Sequence, residues 1–514
     1  MPRSNLAAIL AAAILFGGTS LPFPLSDWDQ ASASYMGQVV LSGGTPYVDA
    51  WNVKAPGVYF VYALKLLLLG RSALGLRVFD LLWQLATALV LAYVARRLAA
   101  GSERPESAAM AGAITGVAYL AAYYSTNYWT WAEADGFLTL PLALGFAALL
   151  LAGERDDPKW WALAAAGIGV AAVFKLAFGF AGVGTLIAAA MTEPRLPGRV
   201  ALRCAALAAG LALPLAACAA YLMAKGAWPA FLDTQFVLAP QFTAALRKSV
   251  TLDCIRLRAG AIALVPTYLL TAAALVFGAR ACLTKIRGAR PAVVAAVWLA
   301  VAALTLVAHG AYLKYHFLPL AAPATLLAAG GVAAATHRAW RSGWLPRSIV
   351  LVLAGAFLFA PARASTRRIE GPWEQVTARI GSPDWDDVTQ YIRNHSQNGD
   401  RIFVWGDVPV IYLMAERPSA SRFIVTRLLE RDWQGVGLRS AFLADLRRAP
   451  PRYVVMIHRS DDAVCTRPVK MREDTSANDG FPPDLLEMHY RLEKEFAGCA
   501  LYVQIPAAPG PAAP

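Results

Sequence analysis

Apolar runs of about 20 residues recur along the chain as far as residue 361 and then stop. Each could cross a hydrocarbon core about 30 Å thick, where backbone polar groups are satisfied only within helices or closed barrels. The expected fold is therefore a polytopic α-helical membrane protein of about 11 transmembrane helices with a C-terminal soluble α/β domain. The expected spans are residues 5–25, 73–95, 108–126, 136–153, 160–174, 177–192, 201–223, 259–280, 291–309, 313–335 and 345–361. Composition agrees: 16% of the 514 residues are charged, against about 25% in an ordinary soluble chain. The deficit lies almost wholly before residue 361, which sets the expected division into 1–361, 362–506 and a disordered Pro/Ala tail at 507–514.

The net charge of +13 invites a nucleic-acid reading. The basic residues sit instead in alternate inter-helix loops: Arg96, Arg97 and Arg104; Arg155 and Lys159; Arg195, Arg199 and Arg203; Arg280, Lys285, Arg287 and Arg290; Arg338, Arg341 and Arg347. Positive-inside bias accounts for this, and no nucleic-acid partner is expected. It puts the N-terminus in the cytoplasm and the C-terminal domain outside, against the counter-example of Arg247, Lys248, Arg256 and Arg258. The apolar stretch Val58–Leu69 is short and interrupted by Lys65, so residues 26–72 are expected as one outward loop with helices along the membrane. The first run also resembles a signal peptide, but its A-x-A candidate, Ala31-Ser32-Ala33, lies behind two aspartates, and an uncleaved anchor is expected.

Beyond residue 361 short strand and helix patterns alternate. Trp385 to His395 and Trp433 to Arg448 have helical spacing, while Arg401 to Trp405 and Tyr453 to Ile457 read as buried strands. Leu485 to Tyr490 and Leu501 to Ile505 suggest a last helix and strand, and such alternation favours a small sheet flanked by helices.

Where the first span ends, the chain turns polar at Ser26-Asp27-Trp28-Asp29-Gln30. An isolated aspartate here is most simply a helix N-cap. Carboxylates at the mouth of a membrane bundle are costly, which favours a role in chemistry. A longer pattern supports that role: Asp29-Gln30-Ala31, Gly43-Gly44-Thr45-Pro46-Tyr47-Val48-Asp49, then Lys54-Ala55-Pro56. It resembles the first outward loop of the GT-C membrane glycosyltransferases of the protein-mannosyltransferase-like superfamily, whose pattern is an acidic Asp-Glu pair, Gly-x-x-Tyr-x-Asp and Lys-Pro-Pro. Gly70 with Leu76-Arg77, Trp131-Ala132-Glu133-Ala134-Asp135, Phe174-Lys175 through Gly179, and Tyr315-His316 through Pro319 are similar to further elements of that family. So is the stretch from Tyr391 to Phe423, which is similar to the outward domain of one bacterial branch. Two positions depart from the pattern: Gln30 stands where the family has Glu, and Ala55 where it has the first Pro.

The resemblance implies transfer of a sugar from a polyprenyl-phosphate donor to a cell-envelope acceptor, on the outer face of a bacterial inner membrane. Such transfer needs a carboxylate to take the acceptor's proton and cations to stabilise the departing phosphate. Asp29 is the candidate base, with Asp27 or Glu133 assisting; Lys54, Lys175 and Arg77 or Lys314 are phosphate partners, and Asp135, His316 and Tyr47 complete the expected substrate site. Lys175 could equally snorkel to the interface. Histidines at helix ends are more often structural groups, which applies to His309 and His316. Asp27 and Asp29 form a D-x-D triplet, but two carboxylates are too few to assign a divalent metal. The polyprenyl-phosphate sugar is the expected donor substrate, and a divalent metal stays unassigned. The rival reading, a transporter or lipid-carrier flippase, would favour matched halves with broken helices, and the chain has no internal repeat.

Two outcomes follow. A reporter fused after Arg363 should register the outer face and one after Arg104 the cytoplasm; a cytoplasmic signal after Arg363 would mean a span count wrong by one, with Val58 to Leu69 the source. In an oxidising compartment Cys465 and Cys499 are expected to pair, stabilising by about 2–4 kcal/mol. Thiol labelling of the denatured, unreduced protein decides, since full labelling of both means no bridge.

Overall fold

The computed structural model describes residues 3–100, 105–155, 157–179, 197–248, 289–310, 312–329, 343–345, 347–348, 380–381, 383–429, 433, 437–458 and 481–505. The chain starts with α1 (Arg3–Ala12), which continues through a π turn at Ala13–Gly17 and a 3₁₀ turn at Gly18–Ser20. Two 13-residue helices follow, α2 (Asp29–Leu41) and α3 (Gly57–Leu69), packed on each other. Then come α4 (Ala73–Ala100), α5 (Pro105–Tyr124), the short α6 (Ala134–Phe137), α7 (Thr139–Arg155), α8 (Pro158–Phe174) and α9 (Pro197–Ala224). The start of α8 shows why the sequence turns helical there: Asp157 accepts from the Lys159 N–H at 3.0 Å, and Pro158 occupies the first helical position. The main pairings are α4 on α5, α7 on α8 and α8 on α9.

Three described helices are long and apolar enough to cross a membrane alone: Ala73–Ala99, Ala134–Ala152 and Val200–Ala224. Shorter apolar helices are Gly57–Leu69, Pro158–Phe174, Val294–His309 and Tyr315–Ala329. The fold is thus helical with a small sheet, but the expected count of about 11 spans is not reached among the described residues. Part of the difference is helix length, since the 17 residues of α8 rise only about 25 Å. The expected spans at 177–192, 259–280 and 345–361 fall wholly or mostly outside the described residues, as do the tail and Cys465.

The C-terminal residues form a four-stranded sheet of order β1-β2-β4-β3. Its strands are β1 (Ile402–Trp405), β2 (Tyr453–Ile457), β3 (Tyr490–Phe496) and β4 (Cys499–Gln504). β1 runs parallel to β2 (Ile402 opposite Tyr453), and β4 is antiparallel to both β2 and β3. Helices Asp386–His395, Leu438–Arg448 and Pro483–His489 accompany it, near the stretches expected to be helical, together with Val410–Ala415, which was not expected. Sequence reading missed β3, whose Arg491, Glu493, Lys494 and Glu495 carry charge along a sheet edge, a common device against edge-to-edge pairing.

This C-terminal unit is fastened to the polar loop. The Trp51 N–H donates to Arg422 O at 2.7 Å, its ring lies 5.4 Å from Phe423, and the Ser419 N–H donates to Tyr35 Oη at 2.8 Å. Asp445 holds the Arg422 guanidinium by two bonds of 2.9 Å, which fixes the strap that meets Trp51.

Two buried side chains pin the loop before α6 against the segment that leads into α2. Gln30, on α2, donates from Nε2 to Tyr128 O (2.8 Å) and Trp131 O (2.7 Å). Its Oε1 accepts from the Ser26 N–H and from Arg77 Nη2, both at 2.9 Å. Arg77 also donates to the carbonyls of Phe23 and Pro24 and lies over the rings of Tyr128 and Trp131. A carboxylate could not donate those two bonds, so Gln30→Glu is expected to destabilise the folded protein by about 1–3 kcal/mol. A thermal unfolding midpoint equal to wild type would overturn this assignment.

Candidate active site

The site is built where α3 begins and α8 ends. Gly57 opens α3 so close to α8 that an added Cβ would stand 2.9 Å from the Phe174 nitrogen and the Val173 carbonyl carbon. Any side chain there would push the two helices apart, and with them the loops carrying Lys54 and Lys175. Lys54 is held from behind: its carbonyl accepts from Tyr47 Oη and Tyr59 Oη, both at 2.8 Å, and its N–H donates to Asn52 Oδ1 at 3.1 Å.

At its tip, Lys54 Nζ lies 2.7 Å from Asp29 Oδ1 and 2.7 Å from Glu133 Oε2. Next along, Lys175 Nζ meets Asp135 Oδ1 at 2.8 Å. All five side chains line one cavity of about 710 Å³, together with Asp27, Trp28, His309, Tyr315 and His316. Glu133 is only 2% exposed, and its second oxygen, Oε1, is buried with no hydrogen-bond partner among the described residues. Burial raises the Glu133 pKa to about 8, against the opposing pull of Lys54 and with help from Asp29. For Lys54 burial works against the ammonium, yet Asp29 and Glu133 together outweigh it and raise its pKa. At neutral pH Glu133 is therefore mostly protonated, and Lys54 remains charged.

The candidates named from sequence divide into three groups. Asp29, Lys54, Glu133, Asp135 and Lys175 meet in the cavity, and Lys175 turns to Asp135 rather than to the interface. Asp27 and His316 also line it; Asp27 Oδ2 accepts from Trp385 Nε1 at 3.0 Å, and the His316 ring lies 4.0 Å from that of His309. Arg77 and Tyr47 are not among the lining residues. Both are buried and bonded to loop carbonyls, as the family-like aspartate Asp49 is to the Thr45 N–H at 2.7 Å. The side chain of Lys314 lies outside the described residues.

Among the described residues no three His, Cys, Asp or Glu side chains are arranged to hold a metal ion. Of the aromatic residues around the second loop, Tyr123, Tyr124 and Trp131 are buried inside the bundle, while Tyr128 and Trp129 line the cavity. Sequence reasoning missed Arg427. It comes from the C-terminal unit, lies 3.7 Å over the Trp28 ring, pairs through Nε with Asp407 Oδ2 at 2.7 Å, and leaves Nη1 buried without a partner. Nothing in its local sequence marks it, because its place depends on how the C-terminal unit docks.

Residues 53–222 match the family model of dolichyl-phosphate-mannose-protein mannosyltransferases. A search of curated proteins by sequence gives no match. Among solved structures, the chain is similar to ArnT from Cupriavidus metallidurans bound to undecaprenyl phosphate, with a TM-score of 0.60 and 13% identity, over 99% of this chain and 100% of that one. It is also similar to the Archaeoglobus fulgidus oligosaccharyltransferase tethered to an acceptor peptide, with a TM-score of 0.55 and 11% identity, over 89% of this chain and 69% of that one. The same organism's AglB in complex with an inhibitory peptide and a dolichol-phosphate gives 0.51 at 12% identity, over 88% and 69%. The chain thus shares the fold of these solved structures, and residues 53–222 carry the match to the mannosyltransferase family model.

Proposed function

We propose that the protein is an integral-membrane glycosyltransferase that moves a sugar from a polyprenyl-phosphate-linked donor to a cell-envelope acceptor. The observation that carries this reading is the convergence of Asp29, Lys54 and Glu133, with Asp135 and Lys175 beside them, in one cavity at the loop. Residues 1–361 form the membrane-embedded part, with loop 26–72 facing outward, and residues 362–506 close over it on the outer face. The solved neighbours whose names include undecaprenyl phosphate or dolichol-phosphate support a lipid-linked donor.

The chemistry follows from which group water and substrate can reach. Asp29 is 24% exposed and Glu133 only 2%, so an acceptor hydroxyl or amine entering the cavity meets Asp29 first. Asp29 takes the acceptor's proton as its oxygen or nitrogen bonds to the sugar's anomeric carbon, and the bond from that carbon to the phosphate oxygen breaks. The polyprenyl phosphate leaves with the electron pair, and Lys54 and Lys175 stabilise its charge. For Lys54 to turn toward the phosphate it must loosen its hold on Glu133. A proton on Glu133 makes this possible without stranding a buried carboxylate.

Asp29→Asn should leave the protein inserted and folded and lower transfer by at least about 100-fold. Near-normal turnover of the purified variant would remove Asp29 from the mechanism. Envelope glycans and lipids compared by mass spectrometry with and without the protein identify the transferred unit by its missing mass.

A pH dependence also follows. Above about pH 8 Glu133 ionises, and Lys54 is then held by two carboxylates instead of being released to the donor phosphate. Donor KM should therefore rise as pH passes through about 8 in wild type, and stay flat there in Glu133→Gln. A rise of equal size in Glu133→Gln would assign the alkaline limb to another group.

A further inference from the structure

Glu133 is preceded by Ala132, whose backbone is left-handed with φ 54°. An alanine rarely holds that conformation without support. Here both of its backbone polar groups are gripped by tyrosine hydroxyls. The Ala132 N–H donates to Tyr123 Oη at 3.0 Å, and the Ala132 carbonyl accepts from Tyr62 Oη at 3.1 Å. Tyr123 Oη donates in turn to Asp80 Oδ1 at 2.8 Å. Asp80, about two turns into the membrane-length helix α4 and 1% exposed, also accepts from Tyr124 Oη at 3.3 Å and from Gln84 Nε2 at 3.1 Å. Gln84 Oε1 accepts from Tyr119 Oη at 2.6 Å, which completes a buried polar chain.

None of these side chains lines the cavity. A carboxylic acid inside a span is expensive, and such residues are kept for a purpose. The roles within the chain are set by chemistry. The Ala132 N–H can only donate, so it takes a lone pair of the Tyr123 hydroxyl, which leaves that hydroxyl's proton free to point at Asp80 Oδ1. Donating to Asp80 polarises that hydroxyl and strengthens the bond it accepts.

We propose that Asp80 and Tyr123 are positioning residues: through the Ala132 N–H they fix the left-handed turn that holds the Glu133 carboxyl group against Lys54. The inference rests on the reading that Glu133 belongs to the site, but its test does not depend on transfer. Several other groups share the surroundings of Glu133. Lys54 and Asp29 face it from the first loop, Tyr62 from α3, Asp135 from its own turn, and Tyr315 and His316 from the far wall; Lys175 stands behind Asp135.

The experiment uses the purified full-length protein and the hydrophobic reagent dicyclohexylcarbodiimide, which attacks protonated carboxyl groups. Labelling of Glu133 is followed by peptide mass spectrometry across pH. The wild-type midpoint is expected at about 8. In Tyr123→Phe it should move by at least about one pH unit, downward where the freed turn gains water or upward where Glu133 loses Lys54. Adding Ala132→Gly to Tyr123→Phe should bring the midpoint most of the way back, since glycine adopts the left-handed turn without support. Tyr124→Phe removes a bond to the same carboxylate without touching the turn and should leave the midpoint unchanged. An unmoved midpoint in Tyr123→Phe, an equal movement in Tyr124→Phe, or no return with Ala132→Gly would each overturn the proposal. If labelling behaves as expected while Glu133→Gln transfers sugar with a wild-type pH profile, the positioning stands and the role of Glu133 in transfer falls.

Discussion

One ammonium group organises the cavity of this protein. Lys54 Nζ sits 2.7 Å from two carboxylates that arrive on separate loops, Asp29 at the start of α2 and Glu133 ahead of α6. That one ammonium therefore ties the two segments together through both of its contacts. Much nearby structure serves that meeting: Gly57 brings α3 against α8, Tyr47 and Tyr59 fix the Lys54 carbonyl, and Gln30 and Arg77 tie the second loop to the first.

Legibility in the sequence followed physical range. Patterns governed by neighbours along the chain could be read directly: the apolar runs, the 453–457 strand at its observed bounds, and the helix ending at His395. The acidic and basic residues that meet in the cavity were legible as types, since charge beside apolar runs is conspicuous. Their division into cavity and scaffold was not. Arg77 and Tyr47 carry family-like motifs as plainly as Lys54 does, yet face loop carbonyls. Which way a side chain points depends on the packing of helices distant in sequence. Asp80 carried a readable signal, an acid within an expected span, whereas Arg427 carried none before docking placed it over Trp28.

The C-terminal unit is more than a neighbour of the site. Asp27 accepts from Trp385, Trp28 lies under Arg427, and Trp51 bonds to Arg422, so three residues flanking the Asp29 and Lys54 segments each contact that unit. Arg427 adds to the cavity a cation whose Nε is neutralised by Asp407 and whose Nη1 is buried and unpartnered. On the proposed reading, cations supplied both by the loops and by the C-terminal unit would help the cavity hold an anionic donor.

Charge balance bears on the place of Glu133 in such a cavity. With Glu133 ionised, the four acidic side chains that line it, Asp27, Asp29, Glu133 and Asp135, outnumber the three cations Lys54, Lys175 and Arg427. With Glu133 protonated the count is even, and on the proposed reading Lys54 can exchange a carboxyl group for a phosphate. Burial is the largest influence on Glu133, and the turn at Ala132 keeps it buried. Displacing that carboxyl group into water would return it toward ordinary acidity and tighten its grip on Lys54 by charge. The depth of one side chain, fixed by a strained residue and its tyrosine supports, thus decides whether the central lysine is available to a substrate.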